Sequence, residues 1–279
     1  MVDAAPQPPK PPDGIRPELP AGAEPADLQA VQDSYETALA DLLARWPSLA
    51  GPQITAILDQ VEGHVGAGDV VGLLSIAVSS VEAAAVLERA MLDLGNEAGA
   101  QVVAEAVKQG LSENDLHATP PERLRTAQSA QVFAGQLATF LVGSAIGEAM
   151  RVWLRGRSPR DVRDDVAGHL GSLTDAYPRL VLGGALTQAQ HDGRWGTMLG
   201  GPEAALYANE VLDTNTCKPC RDINRKWIGN ASDTSPSLVY PVAGYVGCLG
   251  RWRCRGMAVA VWRGGANWKE WVELPPQRT

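Results

Sequence analysis

The sequence is poor in aromatic residues and in histidine. Aromatic residues make up 5% of its 279 residues, and the last of its four histidines is His191. A catalytic zinc ion usually has a histidine or carboxylate ligand and keeps one coordination position open. We therefore expect any metal bound after His191 to be structural and to have a closed set of ligands.

Several recognisable signals are also missing. The sequence has no nucleophile elbow, zinc-protease motif or phosphate-binding loop, so it does not predict an enzyme. Residues 1–6 carry no basic start and no apolar segment of the kind found in signal peptides. The most apolar stretch, residues 132–146, is too short to span a bilayer. These absences favour a soluble protein that is made in the cytoplasm and does not contact a membrane.

The net charge of −8 is unevenly distributed along the chain. Residues 201–279 carry ten basic and seven acidic side chains, so the acidic excess lies before them. An acidic body argues against general binding of nucleic acid, but a basic end leaves a local contact with DNA open. The candidate residues for this contact are Arg221, Arg225, Lys226, Arg251, Arg253 and Arg255. The alternative is that they form a solvated rim that keeps this region soluble.

Most of the chain before residue 200 has the pattern of amphipathic helices. Eight prolines in residues 1–25 predict a disordered, proline-rich arm. Helix starts marked by proline or by capping residues then recur through residues 26–200, which predicts a helical domain of several helices. We expect Pro47 to end the first of these helices, and Gly63–Gly68 to break the second.

The sequence pattern changes from helix-like to strand-like after Gly200–Pro202. Three short segments, residues 206–212, 226–228 and 258–262, have the alternation or the β-branched and aromatic content of strands. The predicted fold class is therefore mainly α: a multi-helix N-terminal body, followed over residues 201–279 by a small cysteine-rich α+β module with short antiparallel strands. Three short strands need additional stabilisation, which a bound metal would supply.

The module contains all four cysteines of the chain. Cys217 and Cys220 form a C-x2-C pair, and Cys248 and Cys254 form a C-x5-C pair. Two close pairs separated by a loop are typical of a tetrahedral structural zinc site. Two disulfides, or reduced thiols in a small core, are the alternatives that the spacing leaves open.

The cysteine region resembles the Mu F-like head-morphogenesis family of minor capsid proteins, especially as it occurs in phages of actinobacteria. The family pattern is a strand ending in Asp-x-x-Thr-Cys-x-x-Cys, followed later by a second cysteine pair with arginine before its last cysteine. The matching residues are Asp213, Thr216, Cys217, Cys220, Arg253 and Cys254. The resemblance covers residues 205–262. At the second cluster this chain lacks the histidine that many family members have.

The resemblance implies a minor capsid protein of a tailed phage that works by binding. Its implied partners are the portal protein and the capsid proteins, with packaged DNA as a further contact, and its implied location is the capsid interior or the portal vertex. Two other functions are kept as alternatives: a capsid maturation protease or other phage enzyme, and a zinc-ribbon-like module that binds nucleic acid.

Overall fold

A computed structural model describes residues 9–173, 175–233, 239–240, 245–250 and 256–274. Long helices are followed by a small sheet, as the composition of the two regions predicts. The helices are α1 (Leu28–Ala67), α2 (Val70–Leu74), α3 (Val81–Lys108), α4 (Arg123–Trp153), α5 (Pro159–Ser172), α6 (Ala176–Leu199), α7 (Lys218–Ile223) and α8 (Trp268–Trp271). The strands are β1 (Ala204–Asn209), β2 (Trp227–Asn230) and β3 (Met257–Trp262).

Helix α1 corrects one prediction. It continues through Pro47 and Pro52, so the prediction that Pro47 ends a helix was wrong. The predicted break at Gly63–Gly68 is confirmed at its last residue, because α1 ends at Ala67 and Gly68 has a φ of +67°. A proline inside a helix removes one hydrogen bond and crowds the preceding turn. Both prolines are exposed, so water can reach the carbonyl groups that they leave without a helical partner. Apolar residues on the opposite face, among them Leu42, Ala50 and Ile57, are buried and hold the two halves of the helix in one packed element.

Capping residues predict two further helix ends. The Ser158 hydroxyl accepts a hydrogen bond from the Asp161 N–H at 3.2 Å and caps the start of α5. Gly110, with a φ of +95°, follows the end of α3 in the left-handed region that glycine tolerates. Local sequence therefore sets these boundaries.

The chain divides into two compact units. The first contains Met1–Ala38, Met91–Arg123 and Leu186–Thr279, and the second contains Leu39–Ala90 and Leu124–Ala185. This division differs from the predicted boundary at residue 200, because parts of α3 and α6 group with the sheet. In the second unit, the later part of α1 packs with α2, α4 and α5 around a core of aliphatic side chains.

The sheet of the first unit has strand order β2-β1-β3, and both pairings are antiparallel. One face packs against Val102 and Ala106 of α3 and Trp195 and Met198 of α6. The other face packs against residues near the N-terminus and against α8. All six residues of β3 are buried because both faces of the sheet are covered.

The outer edge of β3 is closed by one side chain. The Gln109 carboxamide donates to the Ala260 carbonyl at 2.9 Å and accepts from the Trp262 N–H at 3.1 Å. It therefore supplies one donor and one acceptor, as a residue of a neighbouring strand would. Gln109 is only 2% exposed, so the two main-chain groups that it pairs are shielded from water.

Residues 9–25 differ from the prediction of a disordered arm. Leu19 and Ala23 are each 4% exposed and belong to the apolar cluster on the second face of the sheet. Main-chain hydrogen bonds join this segment to residues 225–227 and 272–274. Its prolines exclude helix, and here they are compatible with an extended segment that is bound in place.

Helix α4 is longer than the apolar stretch recognised in the sequence. Among the described residues it is the one helix long and apolar enough to cross a membrane. Buried helices of soluble proteins often share these properties, and Ala134, Leu137, Ala145 and other α4 residues are buried in the structure. Its length and composition alone therefore do not indicate a membrane protein.

Candidate metal centre

A tight turn after β1 leads the chain into the first cysteine pair. The Asp213 N–H donates to the Thr216 Oγ1 at 2.8 Å, and the Thr216 hydroxyl donates to the Val211 carbonyl at 2.7 Å. The Asn215 N–H donates to the Asp213 carboxylate at 2.8 Å. The side chains of Asp213 and Thr216 thus form hydrogen bonds with main-chain groups of the turn. This gives a physical reason for the spacing between Asp and Thr in the motif.

Helix α7 sets the direction of the first two sulfurs. Cys217 is extended, with a ψ of 157°, and stands immediately before the helix, while Cys220 lies in its first turn. Pro219 is compatible with the start of a helix because the first N–H groups have no partner within it. Cys220 is 3% exposed and Cys217 is half-buried, so one sulfur faces the core and the other lies nearer the surface.

The loop over residues 245–250 brings the third sulfur to the first two. The Cys248 N–H donates to the Tyr245 carbonyl at 2.9 Å, and the Gly250 N–H donates to the Cys248 Sγ at 3.3 Å. Cys217 Sγ and Cys248 Sγ are 4.0 Å apart, and the sulfurs of Cys217, Cys220 and Cys248 all lie within 4.8 Å of one another. The structure therefore brings together three of the four predicted ligands; Cys254 lies outside the described residues.

This arrangement fits a metal ion. Two thiolates at about 2.3 Å from one zinc ion in a tetrahedral site are just under 4 Å apart. The separation of Cys217 Sγ from Cys248 Sγ matches that value and is about twice the length of a disulfide bond. Three cysteines can thus hold a metal ion here, and thiolate ligands suit zinc and other soft metals.

A buried carboxylate beside the cysteines was not identified from the sequence. Glu210 is 4% exposed, and the Tyr240 hydroxyl donates to its Oε1. The Glu210 N–H donates to the Asn224 Oδ1 at 2.9 Å, and Asn224 ends α7. A Cβ on Gly256 would overlap the same carboxylate, so the main chain before β3 passes close to it. Glu210 therefore joins the end of β1 to the segments that carry the cysteines.

Tyr245 is also influenced by this environment. Burial raises the pKa of its phenol, and the nearby charges of Cys220 and Glu210 raise it further. The rings of Tyr240 and Tyr245 have centroids 5.7 Å apart. These two tyrosines thus form the apolar side of the loop that positions Cys248.

The predicted basic residues do not act as one group. The Arg225 guanidinium donates to the carbonyls of Leu19, Pro20 and Ala23, a use that does not fit the prediction of DNA contact. The Arg221 guanidinium donates to the Thr216 carbonyl at 3.0 Å and to the Asp213 carbonyl at 3.3 Å.

Lys226 is exposed and remains compatible with a contact to a charged partner. Arg251, Arg253 and Arg255 lie outside the described residues, so their predicted role stays a prediction.

Polar side chains of α3 and α6 are buried in the first unit. The amphipathic pattern of these helices did not predict their burial. Arg194 and Glu105 form an ion pair with two hydrogen bonds of 2.9 and 2.7 Å, and their side chains are 2% and 7% exposed. His191 is 5% exposed. Burial and the nearby Arg194 lower the pKa of His191 to about 4, although a hydrogen bond with the Gly256 main chain opposes this shift. His191 is therefore neutral at pH 7.

Comparison of this chain with protein-family models, with curated proteins and with solved structures finds no match.

Proposed function

We propose that this chain is a minor capsid protein of a tailed phage that acts in head morphogenesis. One observation carries the proposal: the motif Asp213-x-x-Thr216-Cys217-x-x-Cys220. The turn made by Asp213 and Thr216 gives a physical reason for the motif, since it delivers Cys217 to the cluster of sulfurs. The resemblance, not the fold, points to the phage head.

We further propose that the metal is zinc and that Cys254 is the fourth ligand. Cys217, Cys220 and Cys248 supply three thiolates, and a fourth would complete a closed tetrahedral site. A zinc ion bound in this way supplies folding free energy, because ligands from distant parts of the sequence are held at one point. Such a site has no open position for a substrate, which supports a binding role for the protein and not a catalytic one.

Within a phage head, the proposed partners are the portal protein and the inner surface of the capsid. The acidic charge of the first 200 residues favours protein contacts over broad DNA contacts. Any contact with packaged DNA would be limited to the basic cysteine region, where Lys226 is exposed.

The metal part of the proposal is tested on the full chain purified without chelator. Elemental analysis should find about one zinc per chain in the native protein. Cys217→Ser should lose most of this zinc and lower the melting temperature. Lys218→Ala is a matched control one residue away, because the Lys218 amine is exposed and pairs with Asp222 alone among the described residues. Zinc far below one per chain, with no change in melting on addition of a chelator, would contradict a zinc site.

The assembly part is tested in the phage. Deleting the gene should reduce the number of intact, infectious heads while the major capsid protein is still made, and the native gene supplied in trans should restore them. Purified virions should contain the protein by mass spectrometry. Normal heads and normal infectivity after deletion would refute the proposal.

A further inference from the structure

The three sulfurs of the candidate metal centre differ in their access to solvent. Cys217 is half-buried, whereas Cys220 is 3% exposed and Cys248 is 9% exposed. The difference follows from the local chain: Cys217 is extended and lies outside α7, while Cys220 lies within the helix and belongs to the core of the unit. A small dissolved reagent therefore reaches the Cys217 sulfur most easily.

The main chain at Cys217 is held on both sides. The Thr216 hydroxyl donates to the Val211 carbonyl at 2.7 Å, and the Arg221 guanidinium donates to the Thr216 carbonyl at 3.0 Å. The Arg221 N–H donates to the Cys217 carbonyl at 3.1 Å. The Cys217 sulfur can therefore change position mainly by rotation of its own side chain.

Cys248 supplies a second thiol close to Cys217. Their Sγ atoms are 4.0 Å apart, and a disulfide bond of about 2.05 Å requires an approach of about 2 Å. Cys248 can contribute to this approach because it lies in a loop between Val246 and Leu249, which are 46% and 75% exposed. Cys220 is less able to do so, because it is buried and fixed within a helix.

We propose that Cys217 is the site at which hydrogen peroxide and related peroxides oxidise this protein, and that the product is a disulfide between Cys217 and Cys248. In the first step the Cys217 sulfur attacks one peroxide oxygen and the O–O bond breaks, which gives a sulfenic acid and one water molecule. In the second step the Cys248 sulfur attacks the Cys217 sulfur, and the hydroxyl group leaves as a second water with the thiol proton. Two thiols thus lose two electrons, and the peroxide is reduced to water.

This inference deepens the proposed zinc site, and it rests on that proposal only for its consequence. The disulfide removes two of the three described thiolates, so too few ligands remain for a closed tetrahedral site. Oxidation should therefore release zinc, and a dithiol reductant should restore both thiols and the site. Zinc and disulfide are then two states of one cluster of cysteines.

The cross-link also affects the stability of the oxidised protein. Cys217 and Cys248 are 31 positions apart in the sequence. A disulfide that closes such a loop restricts the unfolded chain and so stabilises the folded one. The module should therefore stay folded after zinc release, with little change in circular dichroism.

The first experiment treats the purified full chain with a small excess of hydrogen peroxide. The remaining thiols are alkylated, the chain is digested without reduction, and the linked peptides are identified by mass spectrometry. A link between residues 217 and 248 should be the main product, and it should appear together with release of about one zinc per chain to a chromogenic chelator. A main product that links Cys217 to Cys220, or any pair that includes Cys254, would overturn the inference.

The second experiment identifies the sulfur that peroxide attacks. Dimedone, which traps sulfenic acids, should label Cys217 in the native chain at limiting peroxide. Cys248→Ser lacks the second thiol, so dimedone labelling of Cys217 should rise at least about tenfold. Cys220→Ser is the matched control, because it removes a neighbouring thiol and should still form the link between residues 217 and 248.

Labelling of Cys220 or Cys248 before Cys217 would contradict the proposed site. If either variant fails to fold, the labelling and the linked peptides of the native chain decide. The same treatment of the native chain after removal of metal by a chelator separates the two proposals. A link between residues 217 and 248 in a chain that never contained zinc would support the oxidation site and contradict the zinc site, whereas bound zinc with a different oxidation product would do the reverse.

Discussion

Replacing Gln109 by methionine would measure how strongly α3 is joined to the sheet. The Gln109 carboxamide pairs with the Ala260 carbonyl and the Trp262 N–H. Methionine has similar length and volume but forms no such hydrogen bonds, so the change leaves the Ala260 carbonyl and the Trp262 N–H without this partner and also removes the longer bond of 3.4 Å from the Gln109 Nε2 to the Pro25 carbonyl. At about 1–3 kcal/mol for each of the two closely paired groups, the free energy of unfolding should fall by about 2–6 kcal/mol.

The measurement is urea denaturation of the full chain, followed by circular dichroism and by tryptophan fluorescence. Gln101→Met, within α3 and eight residues earlier, is the matched control. The Gln101 Nε2 donates to the Ser34 hydroxyl at 2.9 Å, in a half-buried place, and its loss should cost about 1 kcal/mol or less. A Gln109→Met protein within about 0.5 kcal/mol of the native one would show that the carboxamide does not secure the edge of β3.

Three further changes test other parts of the first unit. His191 has a pKa of about 4 in the folded protein and 6.5 when unfolded, so it is neutral in the folded protein at pH 7. The free energy of unfolding should therefore fall by up to about 3 kcal/mol as the pH drops from 6.5 to 4. His191→Gln should reduce this decline, which is measured by urea denaturation at a series of pH values. Gly193→Ala should lower the melting temperature sharply because its methyl group would overlap the Gly95 carbonyl, whereas Gly168→Ala, in an open helical position, should be neutral or stabilising. Tyr240→Phe should cost about 1.5–3 kcal/mol in urea denaturation because it removes a donor from a buried carboxylate, and an unchanged midpoint would contradict that role.

The helices could be predicted where local chemistry decides them. Ser158 caps α5 as its sequence context predicts, and a glycine follows α3. The C-x2-C pair likewise predicts two converging sulfurs, because the short spacing limits where Cys217 and Cys220 can point. These features depend on residues that are close together in the sequence, so their patterns can be recognised without knowledge of the fold.

Features that depend on distant residues could not be predicted in this way. Pro47 has a local preference to end a helix, but buried side chains on the opposite face of α1 outweigh it. Arg225 and Lys226 are neighbours in the basic region, yet of the two only Arg225 is directed at main-chain carbonyls, because residues 19–23 lie beside it. Glutamate is a residue type that is usually exposed, and nothing in the sequence near Glu210 predicts otherwise. It is buried because Tyr240 and Gly256 approach it in the fold.

The layer that covers the second face of the sheet has a consequence for synthesis on the ribosome. Residues 12–20 leave the ribosome early, but residues 272–274, with which they pair, are among the last parts of the described chain to be made. At about 5–20 residues per second, roughly 250 residues separate the two events, a delay of roughly 12–50 s. During this interval residues 12–20 of the nascent chain lack the main-chain partners that they have in the folded protein. The second face of the sheet is therefore completed only at the end of synthesis.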